Sequence, residues 1–452
     1  MSFPRYPKYK PSGVEWLGDV PVGWEVMKIR HFAEVLRGKF THRPRNDPKF
    51  YGGDFPFIQT GDITASSRFI TEFKQTLNEL GISVSKKFPE GTLVMAIAAN
   101  IGDVAILEFP AYFPDSIVGL VPKRNFDLHF LYFLMIAMKQ PMLMTATVST
   151  QMNLNVDQIC SLTAAAPPLD DQTTIASFLD HETAKIDALI AEQRRLIELL
   201  KEKRQAVISH AVTKGLNPNV RLKASGNLWL GDVPLHWNIL RLKHVKANVK
   251  NAFVDGPFGS NLKSEHFIEG GDVYVIESGF ATQGSLDTAE LKTISLKHFL
   301  TIDRSEARVG DIIIAKIGAQ FGKSSILPDL DKPAVVSGNS LKLTINRELC
   351  DAKFVHWHLV NLKVLGVIDD IVAGSAQPAL SLAGMNNLPM LLPPRAEQEA
   401  IVQFVAIKVG EFDTLTAQVQ RAISLLQERR TALISAAVTG QIDVRDFQPV
   451  AA

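Results

Sequence analysis

Two stretches of the chain carry apolar residues at a strict seven-residue spacing. In the first, Leu179, Ile186, Gln193, Leu200 and Val207 recur in step, with one polar member. In the second, Val405, Phe412, Val419, Leu426 and Leu433 recur without exception. Leu189, Leu196, Ile401 and Leu415 supply a companion row, which predicts the two-row stripe of a coiled coil. Such a stripe alone also suits an ordinary core helix. Two matched stripes in one chain favour mutual pairing. Pro167-Pro168 exclude helix just before the first stretch, Asp170 or Asp171 can cap it, and Gly215 and Gly440 mark the two ends. From Asp171 to Lys214, ~1.5 Å per residue gives a rod of roughly 66 Å.

Outside these stretches the apolar pattern changes. Short runs such as Thr92–Ile97 and Asp311–Ile317 are punctuated by Gly, Pro, Asn and Asp, the pattern of strands and turns.

The chain also repeats itself. WLGDVPVGW at residues 16–24 returns as WLGDVPLHW at residues 229–237, and His31 has its counterpart in His244. The helical stretch opening at Pro167 returns from Pro393, and Gln151 and Gln377 keep that second spacing, as do Leu154 and Leu380. Two matches in the same order indicate a duplicated unit. Between them the halves diverge, with faint likenesses in Gly91–Ala96 against Gly310–Ala315 and Ile58–Gly61 against Ile276–Gly279. The expected architecture is therefore two mixed α/β (α+β) recognition domains in tandem, separated by two long antiparallel coiled-coil helices with pseudo-two-fold symmetry. The expected boundaries are 1–168 and 216–393 for the domains, 169–215 and 394–442 for the helices, and 443–452 for a short frayed tail.

Composition narrows the class. The 452 residues are 46% hydrophobic and 21% charged, which excludes general disorder. The longest apolar run, Phe130–Met138, is about half a membrane span, and MSFPRYPKYK has no apolar signal core. Two cysteines, Cys160 and Cys350, make no disulfide framework or four-thiolate zinc site. A soluble, cytoplasmic protein is expected. The net charge of +1 conceals two basic clusters, Arg37–Lys49 and Arg241–Lys250, each of which reads either as a solvated surface strip or as the local clustering that nucleic acid selects.

The tandem arrangement, the WLGDVP-x-x-W openings, the PPL-x-x-Q and PPR-x-E-Q helix entries and the segment Gly256-Pro-Phe-Gly-Ser-Asn-Leu-Lys263 together resemble the specificity subunit of type I restriction-modification enzymes over nearly the whole chain. The resemblance implies two target recognition domains, each reading half of a split duplex-DNA sequence. It further implies helical spacers that dock two modification subunits, which methylate adenine with S-adenosylmethionine, and restriction subunits driven by ATP with magnesium. No cofactor or metal is expected in this chain itself.

Motifs for catalysis fall short. Gly318–Ser324 approaches a phosphate-binding loop but has three residues between its glycines where four are required. No Asn/Asp-Pro-Pro-aromatic segment is present for methylating a flipped base. Glu72-Phe-Lys74 and Glu290-Leu-Lys292 lack the upstream acid of a nuclease site, and His356-Trp-His358 has no Cys or acidic cluster beside it. The chain is expected to catalyse nothing by itself.

DNA-contact candidates follow from chemistry, since Arg reads guanine, Asn and Gln read adenine, and Lys anchors phosphate. In the first half these are Lys39, Arg43, Arg45, Lys86, Lys87, Asn100 and Gln151. In the second they are Asn261, Lys263, Lys316, Gln320, Lys323 and Gln377. On the helices, Glu192, Arg194, Arg195, Glu198, Lys201, Glu202, Lys203 and Arg204, with Glu428, Arg429 and Arg430, are expected to face outward, as solvated ion pairs or as a docking surface. A coiled-coil scaffold that binds protein or RNA through paired domains is the alternative, and the basic clusters favour DNA.

Overall fold

The computed structural model describes residues 3–145, 147–148, 152–372 and 378–447. The chain divides into two compact units. Unit 1 comprises residues 1–194 and 420–452, and unit 2 comprises residues 195–419. Each unit holds one half of each long helix, α1 (Leu169–Lys214) and α2 (Arg395–Val438).

Unit 1 opens on a hairpin, Tyr9–Pro11 against Asp19–Pro21, which tucks Trp24 into the interior. Glu25–Lys28 then pairs with Thr163–Ala166, the strand that leads into α1. Between them lies a five-stranded sheet in the order Ala33–Arg37, Ile117–Pro122, Leu93–Ala96, Val104–Leu107, Phe69–Ile70. A four-stranded sheet follows in the order Gln75–Leu77, Tyr51–Phe57, Ala111–Tyr112, Lys87–Phe88. Their shared core includes Ile58, Phe88, Val94, Leu107 and Phe113.

Unit 2 repeats the plan. Its hairpin is Leu222–Ala224 against Asp232–Pro234, Trp237 is fully buried, and Asn238–Arg241 pairs with Pro389–Leu392 ahead of α2. Its sheets run Phe253–Asp255, Ser340–Leu343, Ile312–Ala315, Ser324–Ile326, and Thr293–Ile294, Val273–Ile276, Ala334–Val336, Glu306–Ala307. Among the described residues no helix is long and apolar enough to cross a membrane.

Each long helix starts on its prolines rather than on an aspartate cap. Gln172 N–H donates to the Pro168 carbonyl, and Asp170 and Asp171 sit inside the first turn, where carboxylates favour the positive end of the helix dipole. The stops fall where glycine is needed: Gly215 and Gly440 adopt φ of 76° and 75°.

The helices pair antiparallel in both units. In unit 1 the Arg430 guanidinium grips Asp187 at 2.9 and 3.2 Å, and in unit 2 Arg204 meets Asp413 at 3.5 Å. Stepping from Asp187 to Arg204 along α1 matches stepping back from Arg430 to Asp413 along α2, as opposed chain directions require. These pairs correct the expectation that Arg204 and Arg430 are outward-facing charges.

A second correction concerns the companion row. Leu189, Leu196 and Leu415 are 51%, 40% and 45% exposed. The row that faces inward lies four residues on from the first: Thr183, Ile190, Ile197, Arg204 and Ala211, with Val409, Thr416, Ile423, Arg430 and Ala437. Steps of three and four are both neighbours on a helix, and only packing selects between them. Of the leading rows, Leu179, Ile186, Val405 and Leu433 are buried, while Leu200, Val207, Phe412, Val419 and Leu426 are partly so.

The expected frayed tail is docked as far as Phe447. Asp443 N–H donates to the Pro4 carbonyl at 2.8 Å, Val444 is buried, and Phe447 meets Phe178 edge-on at 5.3 Å. Arg445 lies over the Tyr6 ring at 4.7 Å while pairing with Asp443. The Arg445 hydrogen bond holds the Asp443 carboxyl below its usual range.

Candidate nucleic-acid interface

In unit 1 the strand Ala33–Arg37 runs into Gly38, where a Cβ would come within 2.2 Å of the Pro114 carbonyl. Only glycine permits this approach, and it launches an exposed loop over 39–49. Phe40 is buried and pins the loop. The Ser85 hydroxyl donates to the Lys39 carbonyl at 2.7 Å, which brings Lys39 beside Lys86 and Lys87. The Lys86 ammonium lies 5.4 Å from the Phe88 ring centre, and Lys39 and Lys87 are exposed.

Arg43 and Arg45 share one acid. Both guanidiniums bind Asp115, Arg43 at 3.3 Å, and Arg43 also donates to the carbonyls of Phe40 and His42. About half of each side chain remains exposed, 52% and 46%. Two cations on one carboxylate leave a net positive charge, and each guanidinium has donors to spare. Arg45 also lines a cleft of about 500 Å³ together with Asn46, Gln59, Gln75 and the rings of Phe40, Tyr51 and Phe57.

Asn100 belongs to a separate group. It sits in the turn after the strand Leu93–Ala96 and donates to the Thr64 hydroxyl at 2.9 Å. Asp103 in the same turn accepts from Thr64 and from the Lys139 ammonium at 2.6 Å.

The matching turn of unit 2 carries Gln320 and Lys323, both exposed. The equivalence is set by backbone bonds. Gly102 N–H donates to the Ala96 carbonyl and Ala96 N–H to Asp103, as Gly322 N–H donates to Ala315 and Ala315 N–H to Lys323. Asn100 thus corresponds to Gln320. This turn is the segment that approached a phosphate-binding loop, and its Gly322 N–H is committed to the strand. Lys363 approaches Gly322 as Lys139 approaches Gly102. Lys139 and Lys363 carried no signal in the sequence, because each is brought in by a helix distant in the chain.

The remaining unit 2 candidates gather on the loop after Gly256, where a Cβ would lie 2.0 Å from the Ser337 carbonyl. Asn261 and Lys263 are exposed there, and a pair of stacked imidazoles backs them. His266 and His298 have ring centres 3.9 Å apart, Lys263 N–H donates to His266 Nδ1, and His298 Nε2 donates to the Asn261 carbonyl. Lys263 also lies 3.8 Å from Glu265.

Lys316 is placed differently from a free phosphate anchor. Its side chain is 13% exposed, its ammonium is 3.0 Å from buried Asp255, and it sits 5.0 Å from the Phe258 ring centre. Arg304 binds the same Asp255, so Lys316 forms the wall behind the loop.

Gln151 and Gln377 lie outside the described residues. Their described neighbours run alongside the two turns: Leu154 N–H donates to the Ile97 carbonyl and Leu380 N–H to Lys316.

His356 and His358 lie on the helix Ala352–Val364, where His358 is fully buried beside the Pro389 carbonyl. Among the described residues no group of three or more His, Cys, Asp or Glu is placed to hold a metal ion.

Comparison with known proteins agrees with this plan. Residues 21–199 match the family model of the type I restriction modification DNA specificity domain. The type I restriction enzyme MjaVIII specificity subunit of Methanocaldococcus jannaschii is 23% identical over 95% of this chain and 95% of its own length. The EcoDI specificity subunit of Escherichia coli is 21% identical over 94% of this chain and 90% of its own. In fold, a chain from a solved assembly of the type I R-M system superposes with a TM-score of 0.64 at 15% identity, covering 93% of this chain and 98% of that one. The duplicated units and the paired long helices thus accompany a match to the type I restriction modification DNA specificity domain at residues 21–199 and a likeness to specificity subunits of type I restriction enzymes over nearly the whole chain.

Proposed function

We propose that the protein is the DNA-sequence-reading subunit of a type I restriction-modification complex, with each unit reading one half of a bipartite duplex target. The observation that carries the reading is the repeat itself. Both units have the same frame, and at matching exposed places they present different members of the Arg, Lys, Asn and Gln set that reads base edges and anchors phosphate. In this reading the boundaries given above separate recognition domains from spacer helices. The helical pair sets the distance between half-sites, for which one DNA turn of ~34 Å is the natural unit.

The helices' outward charges, Arg194, Arg195 and Lys203 among them, serve as docking positions for two modification subunits and for the restriction subunits. S-adenosylmethionine, ATP and magnesium enter through those partners, and the chain itself works in the cytoplasm without catalysing a step. Base reading falls to Arg43, Arg45, Asn100, Asn261 and Gln320, joined by Gln151 and Gln377, while Lys39, Lys86, Lys87, Lys263 and Lys323 hold phosphate. Lys316 acts through Asp255 as a support for its loop.

The test is selection of bound duplexes from a random pool, with the modification partner present, followed by binding with each half-site scrambled in turn. Replacing Arg43 and Arg45 by Ala is expected to weaken binding about tenfold or more through one half-site only, since each good base contact is worth about 1–3 kcal/mol. Equal loss whichever half-site is scrambled counts against the assignment. Preference for RNA over duplex DNA, or methyl transfer or cleavage by the partner-free chain, overturns the proposal itself.

A further inference from the structure

One exposed place in the two units has the same backbone and opposite chemistry. In unit 1, Phe57 faces Gln75 across antiparallel strands, and two residues later Gln59 precedes the helix Thr60–Ala65. In unit 2, Val275 N–H bonds the Lys292 carbonyl, and two residues later Glu277 precedes the helix Ser278–Gln283. Beneath both pairs the frame is equally apolar: Phe57, Ile58, Val275 and Ile276 are all buried.

The side chains above that frame close on each other in both units. Gln59 Nε2 donates to Gln75 Oε1 at 3.0 Å, and Lys292 Nζ donates to Glu277 Oε1 at 2.8 Å. Lys292 and Glu277 are 49% and 52% exposed, and Gln75 is exposed. Exposed pairs of this kind contribute little to stability, so the fold has no need of one chemistry over the other. In unit 1 the pair borders the cleft that also holds Arg45 and Asn46, which gathers four base-reading side chains on one concave surface.

The two pairs present different patterns outward. A carboxamide has two donors and two lone pairs, and the mutual bond leaves each glutamine with capacity on both sides. Donor beside acceptor is the pattern that matches adenine at N6 and N7 in the major groove. A carboxylate beside an ammonium instead matches a G·C pair, with Glu accepting from cytosine N4 and Lys donating to guanine O6 or N7.

We infer that Gln59 and Gln75, with Arg45 beside them, are specificity-determining residues that take an A·T pair in the half-site of unit 1, and that Glu277 and Lys292 take a G·C pair at the corresponding place of unit 2. The inference rests on the DNA-reading function proposed above. None of Gln59, Gln75, Glu277 and Lys292 was a DNA-contact candidate in the sequence: Lys292 appeared only within Glu290-Leu-Lys292, and only the likeness of Ile58–Gly61 to Ile276–Gly279 marked the place.

The experiment is random-duplex selection with the full-length chain and its modification subunits, run on wild type, on Gln59→Glu with Gln75→Lys, and on Glu277→Gln with Lys292→Gln. The expected result is a change from A·T to G·C at one position of one half-site in the first variant, and the reverse change in the other half-site in the second. Each variant should bind the original motif about tenfold less well and keep the unaltered half-site, which also reports that the chain is folded. The single variant Gln75→Lys, on an exposed strand residue, guards against misfolding and should lose preference for A·T at the same position. Variants that select the wild-type motif overturn the inference and leave the proposed function standing. Loss of binding through both half-sites alike also overturns it, because the pairs are then structural. A wild-type chain that selects no sequence overturns both.

Discussion

His358 lies on the core side of the helix Ala352–Val364, with Nε2 donating to the Pro389 carbonyl at 3.2 Å. Burial depresses its pKa from 6.5 to about 4, against the raising effect of its backbone hydrogen bonds. The folded state therefore keeps a neutral imidazole where the unfolded chain takes up a proton. That stability is complete above pH 6.5 and is lost as pH falls towards 4. Thermal denaturation across this window should show a falling Tm in the wild type, and a shallower fall in His358→Gln, a difference of about 1–3 kcal/mol at the acid end.

A second residue-scale device is repeated in both units. Gln172 accepts from the Asp127 N–H and donates to the Pro167 carbonyl, and Gln398 does the same for Asp351 and Pro393. Both glutamines are buried, and each ties the start of a long helix to the cap of a shorter one. Replacing either by Ala strands buried polar groups and is expected to cost about 1–3 kcal/mol by urea denaturation. The glutamines of the PPL-x-x-Q and PPR-x-E-Q entries were visible in the sequence as a motif. Their partners were not, because Asp127 and Asp351 lie tens of residues upstream and only folding brings their amides within reach.

At the scale of the element, the helices show what periodicity can and cannot decide. The seven-residue spacing located both and implied pairing, and the antiparallel salt bridges meet that expectation. Choosing the second row required the partner. Leucines at Leu189 and Leu196 and isoleucines at Ile190 and Ile197 satisfy the pattern equally well, and the seam buries the isoleucines. Ile190→Ala is accordingly expected to cost about 2–4 kcal/mol, and Leu189→Ala about 0.5 kcal/mol or less. The arginines at positions 204 and 430 were expected on the outward faces of the helices. A long side chain can instead lay its stem along the seam and deliver its charge to an aspartate on the opposite helix. Reversing one partner, Asp187→Arg, should destabilise unit 1 by about 1 kcal/mol or less, and Asp187→Arg with Arg430→Asp should recover most of it in a double-mutant cycle.

For the molecule as a whole, the chain begins and ends in the same unit. Residues 443–447 pack on Pro4, Tyr6 and Phe178, so unit 1 is completed only when its last segment returns. Deleting the chain from Asp443 onward should lower the thermal stability of unit 1 and leave unit 2 unchanged, as hydrogen exchange resolved by segment would report. The terminal place of 443–452 suggested fraying, whereas a few well-placed rings and one guanidinium suffice to hold residues 443–447.

Duplication, two mixed α/β domains and paired long helices were determined by the sequence alone, because identical phrases at fixed spacing and a seven-residue rhythm are local properties of the chain. The placing of the candidate contact residues was decided by tertiary structure. Whether a lysine stands exposed, as at Lys323, or is held against an acid, as Lys316 is against Asp255, depends on what a distant strand supplies. The matching of Asn100 with Gln320, and the pairing of Gln59 with Gln75 and of Glu277 with Lys292, likewise rest on backbone bonds and strand register between segments distant in the chain. Burial and long-range pairing set the energy of a charged or polar group, and neither is written in the residues that flank it.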